Sequence, residues 1–197
     1  GDILVTGSNA SGKSTFIKAV AINALLAQTL HTCCADSFSL RPSLVISSMA
    51  VRDDITKGDS YFVTEIKSLK RIVETANRLP CLCFVDEILK GTNTIERIAA
   101  SAAVLSHLHA TDSKCIVASH DIELTEMLRG SFENYHFSEH ITDDGIVFDY
   151  KLKAGPSRTR NAIKLLGYMG FPTDIVENAN SLVQTFETSQ KWPGIHS

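Results

Sequence analysis

Gly7-Ser8-Asn9-Ala10-Ser11-Gly12-Lys13-Ser14 is the stretch from which the rest of the chain is read. It fits the pattern G-x-x-x-x-G-K-[ST]. In a loop of this kind the backbone N–H groups curl round a phosphate chain, and the glycines allow the backbone angles this requires. Lys13 would meet the β/γ-phosphate charge, Ser14 would ligate magnesium, and the helix after the loop would offer its N-terminus to the anion. So short a pattern arises by accident often enough that its flanks must decide. Ile3-Leu4-Val5-Thr6 before it has the form of a buried parallel strand. From Ser14 to about Gln28 the chain turns helical, with Phe16, Ala19, Val20, Ile22, Leu25 and Leu26 at three- and four-residue spacings. Strand, loop and helix come in the required order.

Outward from there the pattern repeats. Leu44–Ser48 is a second candidate strand, and the polar run Arg52–Asp59 reads as a loop. Ser60 opens a helix whose apolar stripe is Phe62, Ile66, Leu69, Ile72 and Val73, and Pro80 lies just past its end. Cys81–Val85 predicts a third strand, Ile95–Ala110 a helix, Lys114–Ala118 a fourth strand and Ile122–Leu128 a short helix. This alternation predicts an α/β fold, a mostly parallel sheet covered by helices. After Gly130 the style changes. Asn134–Ile141 and Ile146–Leu152 flank the turn signal Asp143-Asp144-Gly145, a late β-hairpin. Two helical patterns, Asn161–Leu166 and Thr173–Thr188, close the chain as a C-terminal helical appendage. The expected division is a core over 1–155 and a helical segment over 156–197.

The third strand delivers Asp86 and Glu87 at its carboxyl end, the edge where open α/β sheets bind ligands. Asp86 can hold magnesium through water, and Glu87 can accept a proton from an attacking water. Adjacent acids after a strand are by themselves more often a solvated loop; the phosphate loop upstream reverses that preference. Ser119-His120 ends the fourth strand at the same edge. A lone His is usually structural, but this one is placed to reach a γ-phosphate.

Composition narrows the classes. The chain has 197 residues, 44% hydrophobic and 21% charged, which suits a single sizeable core. Its formal net charge is -3 and its pI about 6.2, a poor balance for a domain that itself grips nucleic acid. No apolar run reaches the ~18–20 residues needed to span a bilayer. The first residues are Gly1-Asp2 without Met, so an excised fragment is the expectation. The five cysteines are Cys33, Cys34, Cys81, Cys83 and Cys115. Their odd number and strand placement predict reduced thiols packed as small hydrophobes in a cytoplasmic protein.

Four stretches in register carry a family resemblance. Thr6–Thr15 is similar to T-G-P-N-x-x-G-K-S-T. Asp53-Asp54 through Gly58-Asp59-Ser60-Tyr61-Phe62-Val63-Thr64-Glu65 is similar to D-D…G-x-S-T-F-x-x-E. Asp86–Thr94 is similar to D-E-x-x-x-G-T-x-T, and Ala118–Thr125 to A-T-H-x-x-E-L-T. The sequence thereby resembles the ATPase domain of the MutS family of DNA mismatch repair proteins, a branch of the ABC-type P-loop NTPases. Lys151–Ala179, with Tyr168-Met169-Gly170-Phe171-Pro172, looks like the family's C-terminal stretch.

The resemblance implies an ATPase. Gly7, Ser8, Asn9, Ala10, Ser11, Gly12, Lys13, Ser14 and Thr15 would hold the phosphates of ATP. Ser14 and Asp86 would hold Mg2+, Glu87 would be the catalytic base, and His120 would sense the γ-phosphate. Ser60, at a helix N-terminus, would reach the ATP of a partner subunit, and Asn93 and Thr94 would lie at the interface of a homodimer glued by ATP. DNA would be contacted by upstream domains. Family members close the nucleotide site with strands ahead of the phosphate loop, so weak binding by this stretch alone is expected. Ser8, Ala10, Ser11, Tyr61, Leu89-Lys90 and Ile95-Glu96-Arg97 depart from the usual pattern. Those departures keep a MutS-like paralogue outside mismatch repair as an alternative. A P-loop kinase would need an Arg-rich lid, for which only Arg158 and Arg160 lie close together. A non-hydrolysing dimerisation module would not need Glu87.

Overall fold

The computed structural model describes residues 1–8, 11–49, 61–142, 145–157 and 161–193. The chain divides into two compact units, one formed by Gly1–Ser138 with Tyr150–Ser157, the other by Glu139–Asp149 with Arg158–Ser197.

The first unit is built on a six-stranded sheet. Its elements in chain order are β1 (Asp2–Thr6), α1 (Lys13–Thr29), β2 (Leu44–Ser48), α2 (Tyr61–Ala76), β3 (Cys81–Asp86), α3 (Thr94–His109), β4 (Lys114–Ser119), α4 (Glu123–Met127) and β5 (Phe132–His136). The sheet order is β2-β3-β4-β1-β5-β8, where β8 is the two-residue strand Lys153–Ala154. Every pairing in it is parallel except β5 with β8. The parallel sheet expected from the strand–helix alternation is present.

Side chains alternate across a strand, and both faces here are covered. Cys81, Cys83, Val85, Cys115, Val117 and Leu4 pack on one face with Leu69, Ile72, Ala102, Leu105 and Leu124 of the helices α2, α3 and α4. Phe84, Ile116 and Ala118 pack on the other with Ile17 and Ala21 of α1. The strand cysteines thus behave as small buried hydrophobes.

Two sequence expectations change. Helix α2 buries Glu65, Leu69, Ile72 and Ala76, whereas Ile66 is exposed. The turn is set by Glu65, whose carboxylate accepts the Lys90 N–H at 3.1 Å. The run Asn134–Ile141 is two strands, not one. Its first part, in β5, pairs with β1. The chain then breaks at Phe137-Ser138, where the Phe137 N–H donates to Thr6 O at 3.1 Å.

In the second unit β6 (Glu139–Thr142) and β7 (Gly145–Phe148) form the expected antiparallel hairpin; Asp143 and Asp144 of its turn lie outside the described residues. Helices α5 (Ala162–Tyr168) and α6 (Thr173–Ser189) come after it. The Asn161 side-chain amide donates to Glu139 Oε1 at 3.1 Å and ties α5 to the hairpin. Neither helix buries a residue. Among the described residues no helix is long and apolar enough to cross a membrane.

Candidate nucleotide site

Three neighbouring strands, β3, β4 and β1, end at one edge of the sheet, and their registers align the residues just beyond them. Asp86 on β3 pairs with Ala118 on β4, which pairs with Val5 on β1. One row further are Ser119 and Thr6, so Glu87, His120 and the phosphate loop all leave the sheet side by side.

The loop after β1 turns sharply. Gly7 has φ 144°, and a Cβ there would lie 2.8 Å from Phe137 O and 3.0 Å from Ser11 Oγ. No side chain fits at this point. Gly12, at φ 107°, caps α1 from the left-handed side of the φ/ψ map. Lys13 is buried, 4% exposed, and its ammonium donates to Gly7 O and Ser8 O at 2.7 Å each. Ser11 is buried too, and its Oγ has no hydrogen-bond partner. Ser14 is half-buried in the first turn of α1, and Thr15 beside it is exposed. Gly7, Ser8, Ser11, Gly12, Lys13, Ser14 and Thr15 are thus brought to one place; Asn9 and Ala10 lie outside the described residues.

Strand alternation puts Asp86 on the face of Leu82 and Phe84, the face that α1 covers. Its Oδ1 is buried and has no hydrogen-bond partner. An unsatisfied buried carboxylate oxygen is costly. It suits a hard divalent cation such as magnesium, which takes oxygen ligands from one or two carboxylates, hydroxyls and phosphates. Among the described residues, Asp86 and the Ser14 hydroxyl could serve such an ion.

Glu87 leaves the strand in a left-handed conformation, φ 57°, with its N–H on Ala118 O at 3.0 Å. Its carboxylate is mostly shielded from water. Oε2 accepts from the Lys90 ammonium, and Oε1 is 3.9 Å from His120 Nδ1. Asp121, the next residue, accepts from Nε and Nη2 of the Arg97 guanidinium. On the other side of the 88–91 segment lies Glu65. Burial pushes its carboxyl above the ordinary carboxylate value, opposed by the N–H groups of Lys90, Gly91 and Leu89, while the charge of Glu87 adds to the rise.

Lys90, Arg97, Asp121 and Glu65 were not among the residues picked out as site residues from sequence. The one signal was that residues 89–90 and 95–97 depart from the family pattern. Asn93 has a definite local role as the N-cap of α3: its Oδ1 accepts the Glu96 N–H at 3.0 Å, and Nδ2 donates to Glu96 Oε2 at 2.7 Å. Ser60 and the acidic pair Asp53-Asp54 lie outside the described residues.

A loop closed on a buried lysine thus shares the sheet edge with an aspartate whose buried oxygen lacks a hydrogen bond among the described residues. The family model that matches is MutS domain V, over residues 3–187. The chain belongs to the MutS domain V family. It is 29% identical over 192 residues to the DNA mismatch repair protein MutS of Streptococcus gordonii, covering 95% of this chain and 23% of that one. To the MutS of Thermus aquaticus it is 29% identical over 184 residues, 92% of this chain and 22% of that one. To the DNA mismatch repair protein MutS 2 of Haloarcula marismortui it is 33% identical over 192 residues, 94% and 20% respectively. The chain therefore spans about a fifth to a quarter of these relatives.

These matches correct the recognition reached from the motifs. That reading named the family's ATPase domain and kept a paralogue outside mismatch repair beside it. The unit matched is domain V, one domain of much longer proteins, and these relatives are named as mismatch repair proteins.

Proposed function

We propose that this MutS domain V binds ATP with magnesium and hydrolyses it, as the energy-converting module of a DNA mismatch repair protein. The observation that carries this reading is the convergence of Lys13, Asp86 and Glu87 at the edge of three adjacent parallel strands. Lys13 exchanges the carbonyls of Gly7 and Ser8 for phosphate oxygens. Ser14 and Asp86 would hold a magnesium ion, which would supply positive charge to the phosphate chain. Glu87 takes the proton of the attacking water, and His120 approaches the γ-phosphate. The loop amides and the N-terminus of α1 face the phosphate charge and do not need to reorganise as it shifts.

Ser60 acts, in this reading, on the ATP of a second copy, so that two chains complete each other's sites. The apolar surface of the C-terminal helices supports such pairing: Tyr168, Met169, Phe171 and Ile175 are all more than two-fifths exposed. DNA is contacted by other domains of the full-length protein, in keeping with the net charge of -3 here. The three cysteines packed in the sheet core suit a reducing cytoplasm.

The test is ATP hydrolysis per mole of full-length protein as a function of protein concentration, with Glu87→Gln alongside. The expected specific rate climbs with concentration. It falls about a hundredfold or more in Glu87→Gln, while ATP binding persists. A concentration-independent rate would rule out composite sites, and wild-type turnover in Glu87→Gln would refute the assignment of the base.

A further inference from the structure

Next to His120 in the chain, Asp121 forms an ion pair with Arg97 of α3. Arg97, in the first turn of α3, donates from Nε to Asp121 Oδ2 at 2.8 Å and from Nη2 to Asp121 Oδ1 at 2.6 Å. The two side chains are 12% and 4% exposed. Both carboxylate oxygens are taken by one planar fork, the geometry that a lysine cannot reproduce. The Asp121 N–H also donates to Ser119 Oγ at 3.0 Å, so the chain is pinned on both sides of His120.

The imidazole itself is bonded to neither neighbouring acid. His120 Nε2 is 3.8 Å from Asp121 Oδ1, and Nδ1 is 3.9 Å from Glu87 Oε1. These distances are too long for hydrogen bonds and short enough that a small rotation would make one. Which acid captures the ring depends on which acid already has a partner. Asp121 is satisfied by Arg97, and Glu87 by Lys90 on its other oxygen. A buried carboxylate deprived of Arg97 would need a new donor, and His120 Nε2 is the nearest ring nitrogen to it.

The geometry points to Arg97 and Asp121 as a positioning pair for His120: the fork saturates the Asp121 carboxylate and thereby keeps the imidazole free at the sheet edge. This rests on the reading above, in which His120 meets the γ-phosphate. In this reading Arg97 and Asp121 act through His120 and not on the reacting atoms. Position 121 is open in the family motifs and position 97 lies outside them.

A double-mutant cycle on steady-state ATP hydrolysis by the full-length protein tests it. Arg97→Met should lower kcat by about ten- to a hundredfold, the cost of misplacing a reacting group, with KM within about twofold. In a His120→Ala background the same substitution should cost nothing further, because the group it positions is gone. Arg97→Lys should recover part of the loss, and it carries the same cycle if Arg97→Met does not fold. Losses that multiply in the double variant would overturn the proposal, since the pair would then only tie α3 to the β4–α4 connection. Wild-type kcat in Arg97→Met would overturn it as well. Wild-type kcat in His120→Ala is a different failure: it would remove His120 from the reaction, and the positioning pair with it, while the roles of Lys13 and Glu87 stood.

Discussion

A lysine that is 4% exposed costs several kcal/mol unless its ammonium finds hydrogen-bond acceptors. Lys13 donates to two neutral carbonyls. Phosphate oxygens are better partners, because a hydrogen bond between charged groups contributes about 1.5–3 kcal/mol. Lys13→Ala is therefore expected to lower ATP affinity by at least about a hundredfold, measured by titration calorimetry; an unchanged Kd would sink the site assignment. Gly7→Ala acts on the same loop from below. With φ 144° and Phe137 O only 2.8 Å from the added Cβ, the loop has to shift, at a cost of about 1–3 kcal/mol. Thermal unfolding should show a lower Tm together with weaker ATP binding. Lys13 was legible in sequence because an eight-residue pattern is local. Arg97 was not, because its partner lies 24 positions away in the connection between β4 and α4, and no spacing rule links a first-turn arginine to a loop aspartate.

At the scale of elements, buried parallel strands show themselves as short apolar runs, and β2, β3 and β4 were readable for that reason. Two elements were not. The alternation through Asn134–Ile141 does not say where one sheet ends. The break comes from Phe137, which turns in to pack edge-on against Phe16 of α1, ring centroids 6.0 Å apart. In α2 the apolar spacing favoured Ile66, but the buried position belongs to Glu65 because the backbone of 89–91 supplies donors to its carboxylate. That burial has a pH signature. With its folded pKa raised, Glu65 contributes stability below its ordinary value of 4.5, and the contribution is lost as pH rises through the folded value. Glu65→Gln keeps an oxygen for the Lys90 N–H without the charge. The variant should match wild type in melts near pH 4.5 and exceed it increasingly toward pH 8. A variant less stable than wild type at pH 8 would mean that the backbone donors outweigh burial.

For the whole molecule, the question is whether one chain carries a complete site. Lys13, Asp86, Glu87 and His120 come from one sheet edge of one chain, yet Ser60 is proposed to serve the neighbour. In sequence Ser60 stands directly before Tyr61, the first residue of α2, and a serine at a helix N-terminus attracts an anion. If the anion is the γ-phosphate of a second copy, Ser60→Ala should lower hydrolysis without weakening ATP binding by the monomer. Mixing then separates action in trans from action within one chain. In that case Ser60→Ala and Lys13→Ala proteins would each have both sites of their own dimers disabled. A mixed dimer pairs the intact Lys13 of one chain with the intact Ser60 of the other at one of its two sites, and breaks the second site twice over. With random exchange in a twofold dimer, an equimolar mixture should regain about a quarter of wild-type hydrolysis. If the mixture is no more active than its parts although the subunits exchange, Ser60 works within its own chain or not at all, and each chain then carries its site alone.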